Sequence, residues 1–452
     1  MTRKNFLTSL FIFVFLYRFI IAFNFLNLMW PDEIFQTLEQ AHRLIFHKGY
    51  LPWEFSEGVR NWIFPGFLSI FVYIGSFLGP GSWGYSLLIQ AILCLFSLIP
   101  IFYTFQEITN RFGKYPGYLA IFIMGLFPFL VIAAPKAFNE FFAAHMFFAG
   151  LIIFENADPR DFKSIFLASF FIGLCFVLRI QYILCVPVVF IWYLLKKKVS
   201  FQGLFLGFIS IVLFAGFLDY LTWKYPFQSF WLYYKKNIFE GLAINYAASP
   251  WHYYFQLFVT KFSYTLPFLL FLALIGCFQN LLPLLVLLTA FTPHLFIPHK
   301  EFRFIYLAVL MFIILMMLGT GYILSRWKNF KKVYIPLICI WIISLIYIQK
   351  LEMKSYLDSA GILHTYRTLS ANDEICGLGQ NTSWIITGGY YYLHKKIPIY
   401  EMDHEQKVSH PEKINYLMLR NQDLNKTIYP NFSLVSCMAN VCVYKREGIC
   451  SF

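Results

Sequence analysis

Apolar runs of about 17–25 residues recur along nearly the whole chain, the length that a hydrocarbon layer about 30 Å thick demands of a helix. The runs are continuous rather than alternating, which excludes a membrane β-barrel. Of 452 residues, 59% are hydrophobic and 13% charged, whereas soluble domains carry about 25% charged residues. The chain therefore reads as an all-α polytopic membrane protein. Spans are expected near residues 6–29, 84–105, 117–135, 138–154, 163–178, 181–195, 202–220, 263–279, 281–297, 302–324 and 333–350. The first is too long for the apolar part of a cleaved signal, so it is expected to stay as a span with a cytoplasmic N-terminus. The run 64–78 is punctuated by Pro65, Gly66 and Gly75. It is expected to lie at the membrane edge or re-enter, with a twelfth span as the rival reading.

The formal charge is +13. Acids and bases balance from Glu352 onward, so the excess lies among the spans and their short loops. The positive-inside bias puts Arg111/Lys114, Arg160/Lys163, Lys196–Lys198 and the stretch from Arg326 to Lys332 in the cytoplasm. Eleven spans satisfy this and leave the C-terminal tail outside. No basic soluble surface is present, which excludes a nucleic-acid partner. The expected organisation is a transmembrane domain over 1–351 and an extracytoplasmic domain over 352–452. The first has outer loops at 30–62 and 221–262. Short apolar runs broken by Gly, Pro and Asn predict a small α/β fold for the tail. Cys376, Cys437, Cys442 and Cys450 lie in the tail and are expected as two disulfides, with three pairings open. Three glycosylation sequons there (Asn381, Asn425, Asn431) occur at about the frequency of chance and decide little.

Two polar stretches carry the chemistry. The first outer loop begins Trp30-Pro31-Asp32-Glu33. Pro31 suits the first position of a helix, and Asp32 and Glu33 fall in its first turn, where backbone N–H groups face outward. Ile34, Phe35, Leu38, Ala41, Leu44 and Ile45 recur at helical spacing, which predicts an amphipathic helix on the membrane surface. Its carboxylates either cap that helix or act as a general base toward a hydroxyl. The second stretch is His299-Lys300-Glu301-Phe302-Arg303. His299 and Arg303 are four apart and would share a helix face. Such a compact set of cations at a membrane edge suits one phosphate, with Arg as bidentate donor and Lys as point charge. His294 and His299 do not have the spacing of a zinc site, and no metal site is predicted. Asn139, Glu140, Asp219, Asn237 and His252 sit at span ends on the same predicted side. Arg179 and Gln181 separate two short spans and are expected only to turn a tight hairpin.

These residues, taken in order, resemble glycosyltransferase family 22, the mannosyltransferases that extend lipid-linked oligosaccharides and GPI anchors, with bacterial relatives. The likeness rests on three ordered motifs. The first is Pro31-Asp32-Glu33-x-Phe35-Gln36-x-x-Glu39-x-Ala41-His42, followed by Trp53-Glu54-Phe55 and Arg60. The second runs from Asp219 and Lys224-Tyr225 through Asn237, Gly241 and Tyr246 to Pro250-Trp251-His252. The third is His299-Lys300-Glu301-Phe302-Arg303-Phe304. The resemblance implies a GT-C fold and an inverting transfer, on the outer face, of a sugar from a polyprenyl-phosphate donor to a glycan or glycolipid acceptor. It implies Asp32 as base with Glu33 beside it, and His299, Lys300 and Arg303 on the donor phosphate. Trp53, Glu54, Arg60, Asn139, Glu140, Asn237 and His252 are then expected to bind substrate. No cofactor or metal ion is expected. The tail motif from Trp384 to Tyr400 is similar to bacterial members, pointing to a bacterial inner membrane with a periplasmic site; the alternative is an ER membrane with a lumenal one. The rival functional classes are a flippase of lipid-linked glycans, which predicts internal repeats that are not seen, and a non-catalytic membrane subunit.

Overall fold

The computed structural model describes residues 3–245, 248–326, 330–357, 360–448 and 450. Tyr246 and residues 327–329 of the last basic loop lie outside the described residues. Every expected span is helical over most of its length, the first ending at Asn24 rather than at residue 29. Among the described residues seven helices are long and apolar enough to cross a membrane, and three shorter apolar helices accompany them. The chain is thus a multi-pass integral membrane protein. One of the short helices is Ile63–Gly75. At 1.5 Å per residue it rises only about 20 Å, short of the hydrocarbon thickness.

The chain divides into two compact units. One comprises residues 1–19, 57–63 and 93–352; the other comprises 20–56, 64–92 and 353–452. The tail is therefore joined in one unit by most of the first outer loop.

In the first unit the helices Asn139–Asn156 and Tyr306–Arg326 are buried on nearly every side. Their sequences are apolar all round, as an interior helix requires. Helix Leu266–Cys277 packs on Tyr306–Arg326 through glycine. A methyl group on Gly276 would lie 1.9 Å from the Leu315 carbonyl oxygen, and one on Gly319 would lie 2.0 Å from that of Leu272. Small residues let backbones meet where lipid offers no hydrophobic drive between helices. Arg18 is buried in this unit. It donates to the carbonyls of Gly125, Met124 and Ser97 and to the Ser97 hydroxyl. Its charge serves the packing of the helices.

In the second unit the tail forms the expected small α/β fold, a five-stranded mixed sheet. Its strands are β1 (Leu378–Gln380), β2 (Ile399–Glu401), β3 (Tyr416–Arg420), β4 (Phe432–Met438) and β5 (Val441–Arg446), in the order β2-β1-β3-β5-β4. β1 runs parallel to β2 and β3, while β5 is antiparallel to β3 and β4. Ile414, Leu417, Leu419 and Phe432 fill its core. The disulfides are Cys376–Cys450 and Cys437–Cys442, the second directly across the β4–β5 hairpin.

The first outer loop differs from its expected form. Pro31 opens a helical turn, as its fixed φ favours, after an extended Trp30. A π-helical segment, Ile34–Leu38, follows, then the α-helix Glu39–Phe46. The amphipathic surface helix is not found: residues 33–42 are buried on all sides, polar ones included. Each polar side chain exchanges water for protein partners, the condition for burying it. Gln40 donates to the Phe35 and Tyr50 carbonyls, and Gln36 to Glu54. Glu39 accepts the backbone N–H groups of Tyr50, Tyr390 and Tyr391. The last two open the short helix Gly389–Leu393 of the tail. Gly389 is left-handed (φ 57°), and a Cβ there would sit 2.7 Å from a Glu39 carboxylate oxygen. Burial pushes the Glu39 carboxyl up to about 7, against the three N–H groups that hold it down. His42 Nδ1 donates to the Lys48 carbonyl, which leaves its Nε2 to accept from His394 Nδ1. Burial pushes His42 down to about 3.

Candidate active site

The chain leaves helix Leu281–Phe296 in an extended stretch, then makes one 3-10 turn, Phe302–Ile305, before the next long helix. His299 is not on a helix face with Arg303, as its spacing had suggested; it pairs as a strand with Ala248. The carboxylate of Glu301 unites the cluster instead. His299 Nε2 lies 3.0 Å from Glu301 Oε1, and Arg303 Nε donates to the other oxygen. Arg303 and Lys300 are almost fully buried. Lys300 donates to the Ile297 carbonyl, and burial lowers its pKa from the usual lysine range. The second outer loop is fastened here. Ser249 N–H donates to the Pro298 carbonyl and the Tyr254 hydroxyl to that of Glu301. His252 lies between them, starting helix Tyr253–Phe262, with its ring edge on Trp251.

The second feature of this unit was missed in the sequence. Arg179 ends helix Phe162–Leu178 and turns inward, forming an ion pair with Glu140 at 3.0 Å. Both side chains are about 5% exposed or less. A lone charge between two apolar runs, with no basic neighbour, was the available signal. Arg179 and Arg303 lie over the same Phe304 ring, at 4.7 and 5.1 Å from its centre. Arg60, Asn139, Arg179, Gln181 and Tyr233 line one open pocket. The structure therefore gathers Arg60, Asn139 and Glu140 about a residue not expected among them. Asn237 sits one turn beyond Tyr233 and donates to its carbonyl. Asp219 accepts both the N–H and the hydroxyl of Ser229, which anchors the helix Gln228–Tyr234 that carries Tyr233.

Asp32, Glu33, Trp53 and Glu54 belong to the second unit. Asp32 is partly exposed in the first helical turn, whereas Glu33 beside it is buried. Glu54 lies in the short helix Trp53–Ser56 and accepts from Gln36 at 2.8 Å. A π-helical segment directly after Asp32 and Glu33 is of a kind frequently found at functional sites.

ArnT from Cupriavidus metallidurans bound to undecaprenyl phosphate superimposes with a TM-score of 0.56, covering 98% of each chain at 10% identity. The archaeal oligosaccharyltransferase AglB from Archaeoglobus fulgidus, in complex with an inhibitory peptide and a dolichol-phosphate, gives 0.50, with 92% of this chain and 70% of that one covered at 12% identity. The architecture is the GT-C fold of membrane glycosyltransferases. The chain belongs to the Alg9-like mannosyltransferase family, whose pattern it matches over residues 9–380. Among curated relatives it is 26% identical to GPI mannosyltransferase 3 of Candida albicans, over 68% of this chain and 63% of that protein. It is 24% identical to GPI alpha-1,2-mannosyltransferase 3 of Bos taurus, over 92% and 76%.

Proposed function

We propose that this protein transfers mannose from a polyprenyl-phosphate donor to a hydroxyl of a glycan or glycolipid acceptor, with inversion, at the extracytoplasmic face of its membrane. The observation that carries this reading is the partly buried His299–Glu301–Arg303 cluster with the buried Lys300 beside it, in a chain of a mannosyltransferase family. Fixed cations at a membrane edge meet the charge that develops on a departing phosphate. Glu301 holds two of them in place, so they need not reorganise when the glycosidic bond breaks. Asp32 takes the proton of the attacking hydroxyl as the new bond to the anomeric carbon forms; Glu33 lies beside it in the same turn. A monophosphate leaving group carries less charge than a nucleotide diphosphate, so the reaction runs without a metal ion. The likeness of the tail to bacterial members favours an inner membrane with a periplasmic site over an ER membrane with a lumenal one.

The test is transfer from a synthetic polyprenyl-phosphate mannose to short glycan-lipids by detergent-purified protein in EDTA. Transfer by wild type, with loss in Asp32→Asn and in Arg303→Met, supports the reading. A wild type inactive on every acceptor, or Asp32→Asn with full activity, overturns the donor or the base respectively.

A further inference from the structure

Three polar atoms of the pocket side chains in the first unit have no partner among the described residues: the Nε of Arg60, the Nε of Arg179 and the Oε1 of Gln181. Arg179 is 5% exposed, so water does not readily meet its Nε. An unmet buried donor is costly, more so on a charged group, and native proteins seldom leave one without a purpose. Two other polar side chains of the wall, Asn61 and Ser229, are already engaged. Asn61 holds the Val177 carbonyl and the Ile63 N–H, and Ser229 is bound to Asp219. Gln181 donates through its amide to the Tyr233 hydroxyl, which orients the amide oxygen as a free acceptor.

The charges do not cancel on this wall. Arg179 is matched by Glu140, Arg60 has no ion-pair partner among the described residues, and no carboxylate lines the pocket. Asp219 lies behind Ser229, directed at its N–H and hydroxyl. Arg60 rests on the Tyr233 ring at 5.8 Å, which covers one face of the guanidinium and leaves its N–H edge for a ligand. Two guanidinium donors and one amide acceptor call for an anion with oxygens on one side and a hydroxyl on the other. Arg selects phosphate for such a role because its planar fork matches two phosphate oxygens.

We propose that this pocket binds a phosphate carrying a neighbouring sugar hydroxyl, with Arg60 and Arg179 on the phosphate oxygens and Gln181 Oε1 on the hydroxyl. It rests on the lipid-linked glycosyl transfer proposed above and adds a phosphate contact to those of His299, Lys300 and Arg303. Phe304, with Arg179 and Arg303 both over its ring, joins the two sets. The phosphate belongs either to the glycosyl donor or to a phosphate-bearing acceptor glycan.

The test is calorimetric titration of the full-length protein in detergent with mannose 1-phosphate and, separately, with farnesyl phosphate. Mannose 1-phosphate should bind wild type and lose about tenfold or more in affinity in Arg60→Met and in Gln181→Leu. The double variant Glu140→Gln/Arg179→Met removes the second guanidinium without stranding Glu140, and should lose as much. Farnesyl phosphate weakened by Arg60→Met assigns the phosphate to the donor; farnesyl phosphate weakened only by Arg303→Met assigns it to the acceptor. Mannose 1-phosphate affinity unchanged in all three pocket variants overturns the proposal. Because binding needs no turnover, this result is independent of whether mannose is transferred.

Discussion

Glu39 in the second unit and Glu140 and Glu301 in the first are all acids withdrawn from water, yet their surroundings differ in kind. Glu39 is met by three backbone N–H groups and finds its carboxyl pushed up to about 7. Glu140 and Glu301 are met by guanidinium and imidazole groups. Backbone donors fasten one chain segment to another; side-chain cations bring positive charge to the place where they gather. The first outer loop and the cation cluster both looked like chemistry in the sequence. The partners show that much of the first loop's polarity is spent on joining it to the tail.

That contrast can be broken at several points. Asp32, partly exposed and beside a buried Glu33, is the acid of the second unit proposed as the base. Asp32→Asn should reduce transfer about 10²–10⁴-fold, the usual worth of a general base, a loss well beyond any accompanying fall in melting temperature. An activity loss matched by an equal fall in melting temperature would make it a helix-end residue like its neighbours. Arg179→Met should destabilise by about 3–5 kcal/mol, since it strands a buried Glu140, and Glu140→Gln in the same chain should restore most of that. Thermal unfolding of the single and double variants measures both.

Glu39 yields a pH dependence of opposite sign to the usual acid. Its folded pKa lies above the unfolded value, so the native state holds the proton more tightly and stability falls as pH rises from about 4.5 to 7. The loss is on the order of 3 kcal/mol across that window. Glu39→Gln should flatten the melting temperature over the same range; a slope that persists in the variant assigns the effect elsewhere. The smallest difference separates the two disulfides of the tail. Cys376–Cys450 closes a sequence separation of 74 and Cys437–Cys442 one of 5. Loop entropy makes the first worth about 4–5 kcal/mol and the second about 2. Cys376→Ser should therefore lower the melting temperature about twice as much as Cys437→Ser.

The sequence by itself determined the helical membrane class, the position of each apolar helix and the family. Continuous apolar runs admit one solution in lipid, and the ordered motifs sit on unbroken stretches of chain. It also placed Pro31 at a helix start, because that preference is local. The disulfide pairing, the burial of residues 33–42 and the gathering of Arg60 and Asn139 with Arg179 were decided by the tertiary structure. Each depends on a partner tens or hundreds of residues away. Glu39 is buried because Gly389, at φ 57°, turns two N–H groups toward it from 350 residues further along. An amphipathic pattern records which side chains are polar; whether water or a backbone N–H meets them is settled only when the distant segment arrives.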